Sequence, residues 1–110
     1  MNVNEPTMIG LSDQAHALLT QMKEDEHIAE MADGYRLGIA LALAQGVIPP
    51  EVPTPRKTVY SVATIDPDKE IASAIRFLVD FDGGSIYRMA ERLADWGVKE
   101  SGLADEMARD

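Results

Sequence analysis

Apolar positions recur along this chain with helical spacing, broken by short stretches of other character. Thr7 to Leu11 alternates, with Ile9 and Leu11 on one side and Met8 and Gly10 on the other, and predicts a short strand. Ser12 follows as a helix N-cap, and Asp13 favours the first turn. Ala15, Leu18, Leu19 and Met22 then fall at i, i+3, i+4, i+7 and predict one buried stripe, with a polar opposite face. A second helix is expected from Ala29 or Glu30 to Gln45, with Gly46 as its stop. The uncharged run Leu37–Ile48 begins inside it, and it is apolar in every direction. Such a helix must be covered on all sides. The flanking helices are short, so a second copy of the chain is the expected cover. Gly34-x-x-x-Gly38-x-x-x-Ala42 lies on the same helix. Each glycine costs about 1 kcal/mol relative to alanine, which points to a close helix–helix approach or to relief of crowding beside Tyr35 or Leu37.

The clearest break is Ile48 to Pro55, where Pro49, Pro50, Pro53 and Pro55 impose extended backbone. It reads as a stiff spacer or as an arm reaching toward a partner, and Arg56-Lys57 follows it. Thr58 to Ile65 is β-branched and uncharged, and suggests a strand or an extended segment on the core. Asp66-Pro67 reads as a cap followed by proline at the first helical position. Ile71, Ala74, Ile75, Leu78 and Val79 form the apolar face of that helix, and Gly83-Gly84 ends it. Ser85 caps another helix, with Ile86, Met89, Ala90, Leu93 and Trp96 inward and Gly97 as its end. Val98, Leu103 and Met107 suggest a short final helix, which Gly102 weakens.

Composition narrows the function classes. Apolar residues are 45% of the 110, as in a folded domain, and aromatic residues only 5%, so the core is built from aliphatic side chains. The net charge is −9, with both halves acidic, which supplies no electrostatic footprint for nucleic acid or an anionic membrane. Cysteine is absent, excluding disulfides and thiolate metal sites and fitting a cytoplasmic protein. The first ten residues lack the basic and apolar regions of a signal peptide. The central apolar run is too short for a bilayer, which needs about 20 residues.

Candidate chemistry is sparse. His16 and His27 are the two histidines. On one continuous helix they would stand about 16 Å apart, too far for one metal. Asp66-x-Asp68-x-Glu70 opens like a calcium loop, but Ile71 stands where glycine is needed and Phe77 where the closing Glu belongs. Asp80 and Asp82 are paired carboxylates without a nearby histidine or nucleophile. Gly83-Gly84-Ser85 offers backbone N–H groups to an anion but lacks the lysine of a phosphate loop. No cofactor, no metal and no enzyme activity are expected.

Residues 1–46, in order, give a strand, an amphipathic helix, a break and an apolar helix. Met8-Ile9-Gly10-Leu11-Ser12 and Ala32-Asp33-Gly34-Tyr35-Arg36-Leu37-Gly38-Ile39 resemble the strand and second-helix opening of the ribbon-helix-helix family, the Arc and MetJ class. The resemblance implies a dimer in which two strands pair as a ribbon and the helices interlock. It implies an interface of Ile9, Leu11, Gly34, Tyr35, Gly38, Ile39, Leu41 and Ala42. Met8 and Gly10, with Pro6, would point toward DNA, yet none of these side chains can read a base edge. Glu30 and Asp33 would repel phosphate.

The expected architecture is mainly α: a ribbon-helix-helix-like dimer core over residues 1–46, a proline-rich linker or arm over 47–57, and a helical extension over 58–110. The expected function is a non-catalytic, dimeric regulatory or accessory subunit acting through protein contacts. Its partner surface would involve the Pro49–Lys57 arm and the last two helices. The alternative is a ribbon-helix-helix DNA-binding regulator with Arg36, Arg56 and Lys57 on phosphates. A third reading is a small enzyme or metal site across the dimer interface, built from His16 or His27 and carboxylates.

Overall fold

Ser12 separates the strand Met8–Leu11 (β1) from the helix Asp13–Glu24 (α1), and its Oγ accepts from the Ala15 N–H at 3.3 Å. The helix Met31–Gln45 (α2) follows and ends at Gly46, whose φ of 68° closes it in the left-handed conformation that glycine adopts without strain. Next come the strand Lys57–Ser61 (β2), the short helix Val62–Ile65 (α3), and the helices Glu70–Leu78 (α4) and Ile86–Glu100 (α5). The computed structural model describes residues 5–53, 56–79 and 84–100. The fold is mainly α with a two-stranded antiparallel sheet. No helix of the described residues is long and apolar enough to cross a membrane. Gly83, Asp80, Asp82, Gly102, Leu103 and Met107 lie outside the described residues.

The all-round apolar helix finds much of its cover at home. Gly34, Tyr35, Gly38, Ile39 and Ala42 of α2 are buried, while Leu37, Leu41 and Leu43 are half-buried and Ala40 and Ala44 are exposed. On the buried side α2 packs chiefly against α5. The two helices meet at Gly38 and Gly97, so closely that a Cβ on Gly97 would overlap the Gly38 carbonyl oxygen. Gly97 therefore does not end α5, as expected, but lets the helix continue to Glu100 through the crossing point. The small-residue pattern does mark a close approach, and its partner is a helix of the same chain. The N-terminal glycine of the pattern, Gly34, faces Leu19 and Ile28 instead.

The most enclosed helix is thus α5, with ten of its fifteen residues buried. Ile9, Leu11, Leu19, Tyr35, Ile39, Ile65, Ile75 and Leu93 share one core, which draws on residues from both ends of the described chain. Of the side chains expected at a dimer interface, Ile9, Leu11, Tyr35, Ile39 and Ala42 are already interior within one copy. Gly34 and Gly38 are buried too, and Leu41 is half-buried.

The sheet pairs β1 with β2 of the same chain, Met8 opposite Ser61, Ile9 opposite Tyr60, with a register shift before Leu11 meets Lys57. The far edge of β1, where the family plan would set a partner strand, is closed by side chains. The Gly10 N–H donates to Glu91 Oε2 at 2.8 Å, the Ser12 N–H donates to Asp95 Oδ1 at 2.8 Å, and Tyr35 Oη donates to the Gly10 carbonyl at 3.0 Å.

Two helix boundaries differ from expectation. Asp66 does cap a helix, but from further upstream: its carboxylate accepts from the Ile71 and Ala72 N–H groups, both at 3.0 Å. The intervening turn runs through Lys69 at φ 60°, so α4 begins at Glu70 rather than at Pro67. The helix stops at Leu78, and its buried residues are Ala72 and Ile75, followed by Val79 just beyond its end. Ile71 and Ala74 are left half-buried or at the rim, and Leu78 is exposed.

All three tyrosines sit in this core or at its edge, and Tyr35 and Tyr60 pack ring to ring at 4.8 Å. Burial pushes the Tyr35 hydroxyl well above its ordinary value, with Glu91 adding to the effect. Burial pushes Tyr60 to about 12, and its Oη has no hydrogen-bond partner among the described residues. Burial, with the bond to Asp66 at 2.8 Å, pushes Tyr87 to about 12 as well. Unfolded tyrosines ionise near pH 10. The native state therefore holds more protons than the unfolded state above that pH, and stability present below pH 10 is lost as pH rises toward 12. The expected result is little tyrosinate absorbance at pH 10.5, then a rise that coincides with loss of helical circular dichroism. Free titration near pH 10 with the helices intact would contradict this burial.

Candidate functional site

Two surfaces stand apart. The first lies along the outward side of α5, under the segment Pro49–Pro53. Arg92 holds that segment down: its Nε donates to the Pro49 carbonyl at 2.7 Å, and a terminal nitrogen donates to the same oxygen. Pro49 and Val52 are buried as a result. Proline cannot donate from its own nitrogen, so the carbonyls of such a segment are natural acceptors for a cation. Two adjoining clefts open between arm and helix. One, of about 400 Å³, is flanked by Arg56, Ser85, Arg88 and Arg92. The other, of about 330 Å³, runs past Pro50, Pro53, Trp96 and Lys99.

Buried carboxylates organise the charges here. Glu91 is 1% exposed; besides the Gly10 N–H it accepts from Arg88 Nη1 at 2.7 Å and faces Arg56 Nε at 3.6 Å. Asp95 is 4% exposed and pairs with Lys99 Nζ at 2.9 Å. A buried carboxylate is tolerated when its oxygens are bonded and its charge is paired, and both conditions hold at each site. At the start of α5 the Ser85 Oγ accepts from the Arg88 N–H at 3.1 Å. Glu5 fills the remaining donors, accepting from Ile86 N–H at 2.9 Å, Tyr87 N–H at 3.0 Å and Ser85 Oγ. Burial alone would raise the Glu5 carboxyl, but those bonds and the Arg76 charge outweigh it and hold it below the ordinary range. The backbone N–H groups that this helix start could offer an anion are therefore taken by the chain's own Glu5.

The second surface lies between α2 and α4. Leu43, Val47, Ile48, Leu78 and Val79 line one hollow, and Ile39, Ala40, Leu43, Ile71 and Ala74 line another, with Arg36 and Glu70 at its rim. Phe77 is 90% exposed, Leu78 62% and Ile48 55%.

The three cations assigned to DNA phosphates do not converge. Arg36 lies beside the α2–α4 groove, 3.5 Å from Asp33, while Arg56 lines the α5 cleft. Lys57 faces Asp13 at 3.9 Å on the surface. The arm packs against α5, and α4 does not line those clefts. His16 and His27 are both half-buried, and among the described residues no three His, Asp or Glu side chains gather as metal ligands. Glu91 and Asp95 escaped the sequence reading. Their signal was available: two acids four residues apart, set among Ala90, Leu93, Ala94 and Val98 on an otherwise inward face.

Compared with known proteins, the chain matches no protein-family model, no curated protein and no solved structure.

Proposed function

We propose that this chain is a non-catalytic accessory subunit that acts through protein contacts, and that it pairs with a second copy of itself across the α2–α4 face. The observation that carries this reading is the exposure of Ile48 and Leu78, which line one hollow, with Phe77 exposed next to Leu78 in the chain. Large apolar side chains grouped on a small domain mark an association site more often than chance exposure. Two hollows continue that surface along Leu43, Ile71 and Ala74. The second copy is favoured by the rim. Arg36 and Glu70 carry opposite charges, so a twofold contact can set each against the other's counterpart. The rest of an acidic chain repels its copy, which confines association to this uncharged face. Arg36 and Arg56 line different hollows and Lys57 faces Asp13, so the three do not gather on one face, which is why protein contact is preferred here over duplex binding.

Sedimentation is the test. The wild-type chain is expected at twice its monomer mass. Phe77→Asp and Leu78→Asp place charges in the contact and are expected to yield a monomer with unchanged helical content, because both side chains are solvent-facing in one copy. A wild-type monomer, or a Phe77→Asp, Leu78→Asp protein that remains dimeric, overturns the proposal.

A further inference from the structure

The geometry points to an oxyanion site of the phosphomonoester class in the cleft between the proline arm and the first half of α5. This site is separate from the α2–α4 face and does not depend on it. Three guanidinium groups, from Arg56, Arg88 and Arg92, line one hollow of about 400 Å³ in a chain whose net charge is −9. A hollow of that size accepts a small ligand or one side chain of a partner.

The arginines are held in place before any ligand arrives. Arg88 is fixed through Nη1 on Glu91, Arg92 through Nε and one terminal nitrogen on Pro49, and Arg56 stands against the same Glu91. The other terminal nitrogen of Arg88 and that of Arg92 have no partner among the described residues. Arg88 is partly open to solvent, with its side chain 42% exposed. Anchored guanidiniums lose little freedom on binding, and their planar forks match phosphate oxygens in pairs. A carboxylate ligand presents two oxygens and satisfies one fork; a phosphomonoester presents three and can engage several.

One buried carboxylate, Glu91, faces both Arg88 and Arg56 from below. Glu51 stands at the exposed mouth and opposes any anion. Its removal should strengthen binding, an outcome that general destabilisation cannot produce.

Calorimetric titration of the full chain with inorganic phosphate, free phosphoserine and a phosphoserine peptide tests the site. All three are expected to bind at one saturable site, weakened by added salt. Arg88→Gln should weaken phosphate about tenfold or more, while Glu51→Gln should tighten it, with thermal melting confirming that both variants are folded. A peptide that binds at least about tenfold tighter than free phosphoserine identifies a phosphorylated protein as the source, and equal affinities identify a small phosphorylated molecule. Absence of saturable phosphate and phosphoserine binding overturns the proposal. So does phosphate affinity unchanged in both variants.

Discussion

Gly97→Ala is expected to unfold the protein or leave it barely stable at room temperature. A Cβ at this position would overlap the Gly38 carbonyl oxygen and lie 2.5 Å from its carbon and 2.6 Å from its Cα. Every one of these atoms is backbone, so no side-chain rotation relieves the clash. The helices α2 and α5 must move apart, and their contact is the main packing interface of the fold. Overpacking commonly costs about 1–3 kcal/mol when side chains can adjust. Here they cannot, so the loss should exceed that range and remove much of a stability of order 5–15 kcal/mol. The gain in helix propensity, about 1 kcal/mol, does not offset it. Gly34→Ala is the matched comparison. Its Cβ would meet Leu19 Cδ2 at 2.6 Å and Ile28 Cδ1 at 2.9 Å, the ends of flexible side chains. A modest drop of about 1–2 kcal/mol is expected there. Thermal unfolding followed by circular dichroism separates the two. If Gly97→Ala melted within a few degrees of wild type, α2 and α5 could not be pressed together at this point.

Glu91→Ala should be nearly as damaging. The substitution leaves the Gly10 N–H without its acceptor and removes the counter-charge of Arg88 and Arg56. Breaking one side of a buried charged pair costs about 3–5 kcal/mol. The lower end applies, because Arg88 is partly exposed and can turn toward water. Glu91→Gln keeps an oxygen for the strand and should lose less. Denaturant midpoints provide the reading, and an unchanged midpoint for Glu91→Ala would show that this carboxylate closes nothing. Asp95→Ala repeats the experiment one turn along, where the partners are the Ser12 N–H and Lys99.

Several local signals stand where the cause was local, although the helix expected to start at Pro67 begins at Glu70. Ser12 as a cap, Gly46 as a stop, and the stripe of Ala15, Leu18, Leu19 and Met22 depend on neighbours within one or two turns, and each stands in the structure, with Leu18 half-buried. Signals with two physical causes did not resolve. A glycine late in a helix can stop it or admit another helix, and Gly97 does the second because Gly38 lies across from it. An acid in a helix can face water or cap something distant, and Glu91 and Asp95 reach back more than eighty residues to β1. The uncharged segment of α2 drew attention to the helix that needs cover but could not identify the one that provides it. That helix, α5, carries charges and so resembles a surface element. No motif or spacing in the sequence singles out its arginines Arg88 and Arg92. Their gathering into a cleft follows from the path of the proline arm, which no pairwise spacing encodes.

The strand β1 has one further consequence, for the order in which the molecule is made. It is synthesised before α5, yet the N–H groups of Gly10 and Ser12 on its second edge are met by carboxylates that emerge 81 and 83 residues later. Until then the young polypeptide carries a bare strand margin of the kind that recruits other chains. Consolidation of this edge therefore awaits α5, and fragments that stop short of Glu91 are expected to clump rather than fold.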